Sequence, residues 1–172
     1  LFEYIHPNRQ VPPPDVFYPR FSQVAFMVQM PHLNMEEEFA KVKGSALTEI
    51  DKKELEERAL YAKRWLEAYA PEKFVFKIQE TLPEETKTFS DIQKKALGEL
   101  LSFIESTPSM PSGEDLHHKL HDMKSSVGIE PVELFSAIYI SILGKSYGPK
   151  AGWFISVLDR NFVIKRLKEV TG

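Results

Sequence analysis

Cysteine is absent from this sequence, which excludes a disulfide framework, thiolate metal centres and any cysteine nucleophile. Such a chain suits a reducing compartment, and the expected location is cytoplasmic. Long apolar runs are missing too, since none approaches the ~20 residues of a membrane span. The opening "LFEYIHPNRQ" lacks the charged, apolar and small-residue order of a signal peptide, so no membrane partner is expected. Strand-like alternation is scarce, and there are no internal repeats or low-complexity tracts. Glycine is sparse, 8 of 172 residues, so the gathering of Gly144, Gly148 and Gly152 in "LGKSYGPKAGWF" (143–154) marks an unusual place. The chain starts on Leu1, not methionine, and is expected to be a piece of something longer.

What is present is a chain of 42% hydrophobic residues, enough to fill one core or two small ones. Net charge is -3, unevenly spread. From Gly144 onward, Lys145, Lys150, Arg160, Lys165, Arg166 and Lys168 outnumber Asp159 and Glu169, giving this segment +4 and the remainder -7. A basic C-terminal segment on an acidic body is the footprint of a polyanion partner, or simply a solvated helix face.

Capping signals and apolar spacing place helices almost throughout. Residues 11–20, "VPPPDVFYPR", are proline-stiffened and lead into an apolar helix near Phe21 to Met30. Asn34 with Glu37 is capping-box-like, with Gly44 at the exit. Asp51 with Glu54 repeats the arrangement for a long helix to about Tyr69, whose apolar face is Leu55, Ala59, Ala62, Trp65, Leu66 and Tyr69. "KFVFKI" (73–78) alternates as a short strand or an extended linker would, and the lack of a pairing strand favours the linker. The polar loop "QETLPEETKT" is the expected subdomain boundary. Ser90 with Gln93 caps a helix to about Glu105. Another runs from Glu114 to Ser126 and stops at Gly128. Pro131 opens a third that ends at Gly144, Pro149 a fourth through Leu158, and Asp159 caps the last, Arg160 to Val170. The expected fold is an all-α multi-helix bundle in two helical subdomains, residues 1–78 and 79–172.

Catalytic constellations are wanting. Gly144-Lys145-Ser146 ends like a phosphate loop, but Tyr139 stands where that motif needs glycine and the preceding residues read as a helix, not a strand. His117 and His121 share a helix face at a spacing suited to zinc, yet no general base follows the first histidine and no third ligand is evident. Histidines open to solvent are the simpler reading. Glu36, Glu37 and Glu38 lie in a first helical turn, where carboxylates favour the dipole. No strained turn presents a serine.

The longer phrases point to a family. "LFSAIYISILGKSYGPKAGWFISVLDRNFVIKRLKEV" (134–170) resembles the C-terminal end of class I lysyl-tRNA synthetases. "ERALYAKRWLEAYAPEKFVFKIQ" (57–79) resembles the segment joining their catalytic domain to the C-terminal helices, and "PPPDVFYPRFSQVAFMVQM" (12–30) their entry into the helical region. The His-x-Gly-His-like and Lys-Met-Ser-Lys-Ser-like segments of the family's Rossmann domain do not occur: His6 precedes Pro7-Asn8, and His32 precedes Leu33-Asn34.

The resemblance implies the tRNA-binding portion of a lysine–tRNA ligase, a helical cage for the anticodon end of lysine tRNA, with residues 1–78 as the connector and stem-contact region. It implies that ATP and magnesium serve the complete enzyme, that its catalytic domain lies on the same polypeptide, and that this portion alone is inactive and holds no cofactor or metal. Candidates for phosphate are Lys145, Lys150, Arg160, Lys165 and Arg166, with Tyr147 and Trp153 for stacking on anticodon bases. Trp153 and Phe154 also suit a core. The helical domain of a glutamyl-type synthetase and a helical protein-interaction module are the alternatives.

Overall fold

The computed structural model describes residues 16–30 and 33–172. His6, His32 and residues 11–15 of the proline-stiffened stretch lie outside the described residues. Every regular element among the described residues is helical, and the chain divides into two compact units, an all-α, multi-helix architecture as the capping and spacing signals predict.

The first unit takes the described residues 16–28 and 34–69, with α1 (Phe21–Met27), α2 (Met35–Lys43) and α3 (Glu49–Ala68). α1 packs on α3, and its Val24, Ala25, Phe26 and Met27 are buried with Phe39 of α2 and Leu55, Ala59 and Ala62 of α3. Phe21 meets Trp65 edge-on at 5.7 Å between ring centres, the geometry that aromatic quadrupoles favour. Tyr69 departs from the expected apolar face: it is 80% exposed just past the end of α3.

Two starts differ from the sequence reading in detail. Asn34 caps α2 by accepting from the N–H groups of Glu36 and Glu37, but the Glu37 carboxylate accepts from the Asn34 side-chain amide instead of its backbone. α3 begins three residues before the expected place: Thr48 is the cap, and Asp51 is the third helical residue of a reciprocal capping box. Thr48 Oγ1 accepts from the Asp51 N–H at 3.2 Å, and Asp51 accepts from the Thr48 N–H at 2.8 Å. Asp51 is buried and also receives Lys43 Nζ at 2.6 Å and the Phe17 N–H at 2.8 Å. Lys43 first, then the two N–H groups, hold its carboxyl well below the usual carboxylate range, overcoming the opposing effect of burial.

The second unit takes residues 29–30, 33 and 70–172. Its regular elements are short 3₁₀ turns at Glu72–Phe74 and Glu84–Thr88, α4 (Asp91–Glu105), α5 (Gly113–Ser126), α6 (Pro131–Leu143), α7 (Ala151–Ser156) and α8 (Arg160–Thr171). Ser90 with Gln93 and Ser112 with Asp115 form complete capping boxes, and Pro131 occupies the first turn of α6. α6 is buried along most of its length and packs against α4 and α8. Ala96, Leu97, Leu100 and Ile104 of α4 and Val163 and Leu167 of α8 join its core, each large side chain contributing about 1.5–3 kcal/mol. α5 and α7 pack backbone against backbone. A Cβ on Gly152 would lie 2.6 Å from Gly113 O and 2.9 Å from His117 N, so only glycine permits this approach.

Residues 70–80 form a strap without strand pairing, as the linker reading of "KFVFKI" expects. The strap belongs to the second unit and is tied into it. Gln29 Nε2 donates to Phe74 O at 3.1 Å and Gln29 Oε1 accepts from the Phe76 N–H at 2.7 Å. Beyond them the strap closes the C-terminal end of α6. A helix leaves its last four carbonyls without the partners that the next turn would supply, and each one here is met. Gly144, left-handed at φ 67°, donates to Ile140 O, Arg166 Nη1 to Ser141 O at 2.6 Å, the Gln79 N–H to Ile142 O at 2.9 Å, and Gln79 Nε2 to Leu143 O at 3.3 Å.

Arg166 is 2% exposed. Besides Ser141 it donates through Nη2 to Gln79 O and Glu80 O at 2.7 and 3.2 Å, and through Nε to Glu169 at 3.2 Å.

Two outcomes follow for stability. Asp51→Asn should lower the thermal midpoint at pH 7. A depressed carboxyl pKa gives stability that is present above about pH 4 and lost as pH falls further, so the variant should also show a flatter decline in that range by circular dichroism. Arg166→Met should cost about 2–4 kcal/mol in urea unfolding, because buried carbonyls are left without donors. Arg166→Lys should restore only part, since a compact ammonium cannot reproduce the guanidinium fork; Lys165→Ala should stay within about 0.5 kcal/mol.

Candidate nucleic-acid interface

The turn from Gly144 to Lys150 leaves α6 and enters α7, and Tyr139 holds it from beneath. The Tyr139 hydroxyl donates to Pro149 O, and its ring lies so close under Gly148 that a Cβ there would sit 2.5 Å from Tyr139 Cδ1. Burial pushes the Tyr139 phenol up to about 12, so it stays a proton donor through the neutral range. The glycine-rich phrase is thus a helix junction pinned by one aromatic ring.

On that junction Tyr147 is 43% exposed and Lys150 is exposed at the entry to α7. Lys145, on the same turn, is in a different condition. Its ammonium is within 3.2 Å of Glu72 O, 3.1 Å of Val75 O and 3.6 Å of the Glu72 carboxylate, and it stands 5.8 Å from the Tyr147 ring centre. It holds the strap beside the turn. Trp153 is half-buried on α7, where α7 crosses the start of α5, whereas its neighbour Phe154 is fully buried.

The two arginines take structural posts. Arg160 Nη2 donates to Ile104 O at 3.0 Å and Thr107 O at 2.8 Å, closing the end of α4. Arg166 engages four of its five N–H donors within the protein, and its guanidinium stands 5.2 Å from the Phe162 ring centre. These bonds turn the guanidinium toward the protein's own backbone. Lys165 is well exposed, with Glu169 at 3.8 Å. Lys168, outside the candidate set, pairs with Glu105 at 2.7 Å.

The structure therefore brings Lys145, Tyr147 and Lys150 together on one turn. It also adds residues that sequence reasoning missed. Phe74, 42% exposed, and Val75 lie on the strap held by Lys145, and Lys73 Nζ stands 5.1 Å from the Phe74 ring centre. The adjacency of strap and turn spans some 70 residues of sequence, so no local pattern could signal it. His117, His118 and His121 are exposed on α5, with His118 3.8 Å from Glu114. Among the described residues no three histidine, aspartate or glutamate side chains converge on a metal position, and no helix is long and apolar enough to cross a membrane.

Comparison with known proteins gives this geometry its context. Residues 56–171 match the anticodon binding domain family. The chain is 35% identical over 167 residues to lysine–tRNA ligase 1 of Methanosarcina acetivorans, covering 88% of this chain and 31% of that protein. It is 37% identical over 125 residues to the lysine–tRNA ligase of Archaeoglobus fulgidus, covering 73% and 24%. It is 34% identical over 154 residues to that of Pyrococcus horikoshii, covering 86% and 29%. The chain spans less than a third of the length of each of these relatives. An all-helical unit that exposes an aromatic and a lysine on a pinned junction accords with this kinship: the chain belongs to the anticodon binding domain family and is homologous, over most of its length, to archaeal lysine–tRNA ligases.

Proposed function

We propose that this chain is the tRNA-binding part of a lysine–tRNA ligase and that it grips the anticodon end of lysine tRNA. The observation that carries the reading is the family match over residues 56–171, which includes the exposed turn bearing Tyr147 and Lys150. Unstacked anticodon bases seek aromatic faces, and the phosphates that follow them seek ammonium groups. Tyr147 supplies the face, Lys150 and Lys165 reach phosphate, and Lys145 adds charge while holding the strap. Trp153 supports the turn from α7. Arg160 and Arg166 act through the scaffold, fixing the ends of α4 and α6.

In this reading residues 1–78 serve as the connector toward the stem of the tRNA, their last stretch, the strap, lying beside the anticodon-reading residues 79–172. The catalytic domain is a partner on the same polypeptide. The complete enzyme joins lysine to its tRNA in the cytoplasm with ATP and magnesium, and this portion alone catalyses neither step.

Binding of the whole chain to lysine tRNA, glutamate tRNA and a lysine tRNA with an altered anticodon tests the reading. Preference for the intact lysine anticodon should appear at low salt and weaken as salt rises, by a slope of about 0.7 per single-strand phosphate contacted. Tyr147→Ala should cost about 1–3 kcal/mol, the worth of one stacked base. Preference for glutamate tRNA would reassign the chain to the glutamyl type; binding that ignores both salt and anticodon would favour a protein partner.

A further inference from the structure

We infer that the strap supplies a second base-stacking position, centred on Phe74, that continues the surface of Tyr147 and takes a further nucleotide of the same single-stranded RNA. This rests on the anticodon-end reading and extends it to residues outside the glycine-rich turn. Phe74, Val75 and Tyr147 are 42, 40 and 43% exposed, three large apolar side chains on strap and turn segments that one ammonium joins. Lys145 reaches Glu72 O and Val75 O on one side and faces the Tyr147 ring on the other, so the Phe74 backbone and the Tyr147 ring lie within the span of a single lysine.

The charge around this surface selects the occupant. Lys73 stands 5.1 Å from the Phe74 ring centre, and Lys73, Lys77 and Lys150 are exposed. Aromatic faces interleaved with flexible ammonium groups are what a run of bases and phosphates requires. Glu72 opposes a polyanion: it is exposed, with its carboxylate 3.6 Å from Lys145. The strap is also held in place before any ligand arrives, by the Gln29 amide at Phe74 and Phe76, by Lys145 at Glu72 and Val75, and by Arg166 at Gln79 and Glu80. A ring displayed from a fixed backbone loses little freedom on binding.

The test uses the whole chain and a fluorescein-labelled anticodon stem–loop of lysine tRNA at low salt, with Tyr147→Ala as reference. Phe74→Ala should weaken binding by about five-fold or more, the lower bound for a stacked base. Glu72→Gln should tighten it by about two-fold or more, since a like charge is removed at an exposed position. Phe74→Trp should retain affinity and give tryptophan emission that the RNA quenches beyond the change in the parent chain. These last two variants keep the test decisive should Phe74→Ala disturb the strap.

If Tyr147→Ala weakens binding while Phe74→Ala and Glu72→Gln stay within two-fold and the new tryptophan is not quenched, the second position is overturned and the anticodon reading stands. If the parent chain shows no salt-sensitive affinity for the stem–loop, both are overturned.

Discussion

The carbonyl end of α6 is the constraint on which the second unit depends. α6 is buried along most of its length, and at its end Ser141, Ile142 and Leu143 are buried, so their carbonyls have little recourse to water. A buried acceptor left without a donor is costly. The Gly144 N–H meets Ile140 O as the last bond of the helix, and the left-handed turn at Gly144 then ends it; the other three carbonyls need donors from elsewhere in the chain. Gln79 provides two, from its backbone and its side-chain amide, and Arg166 provides the third. Satisfying one helix end thereby fastens the strap and α8 to α6. The positive guanidinium also lies at the negative end of the helix dipole, where it is favoured.

This arrangement changes the meaning of the basic C-terminal segment. Its excess of positive charge suggests a polyanion footprint, yet both arginines bond backbone carbonyls of the protein itself. Arg160 closes α4 as Arg166 closes α6. Arginine suits both posts because its planar fork can serve two or three carbonyls at once, which an ammonium on a single carbon chain does less well. Lysines remain at the surface: Lys150 and Lys165 are exposed, and Lys145 is shared between the strap carbonyls and the face of Tyr147. Charge counted along the sequence overstates what is available to a ligand.

Most of the fold was legible because its signals are local. Ser90 with Gln93, Pro131, Gly144 and Asp159 set helix ends through partners within a turn of chain. The start of α3 was misplaced for a local reason as well: Asp51 has the chemistry of a cap and the position of a third helical residue, and Thr48 claims the cap by bonding it reciprocally. The site was less legible. Arg166 finds carbonyls 25 to 87 residues away, and Arg160 finds them more than 50 away, so nothing beside either arginine in sequence distinguishes it from a surface cation. The strap misleads differently. Its alternation is that of a strand, but its backbone is met by side chains of Gln29, Lys145 and Arg166 instead of a neighbouring strand.

A division of labour follows between groups that build the surface and groups that face solvent on it. Tyr139, Gln79 and Arg166 fix the junction and the strap, each through hydrogen bonds to backbone carbonyls. A backbone carbonyl is present whatever side chain its residue carries, so these anchors do not depend on the identity of the residues they display. Tyr147 and Lys150 can therefore change without loosening the junction, while Gly148 cannot, because the Tyr139 ring fills the space a side chain would need. Lys145 is the exception that links the two groups. Its ammonium bonds carbonyls on one side and meets an exposed ring on the other, so a ligand at that ring would be felt by the strap through the same lysine.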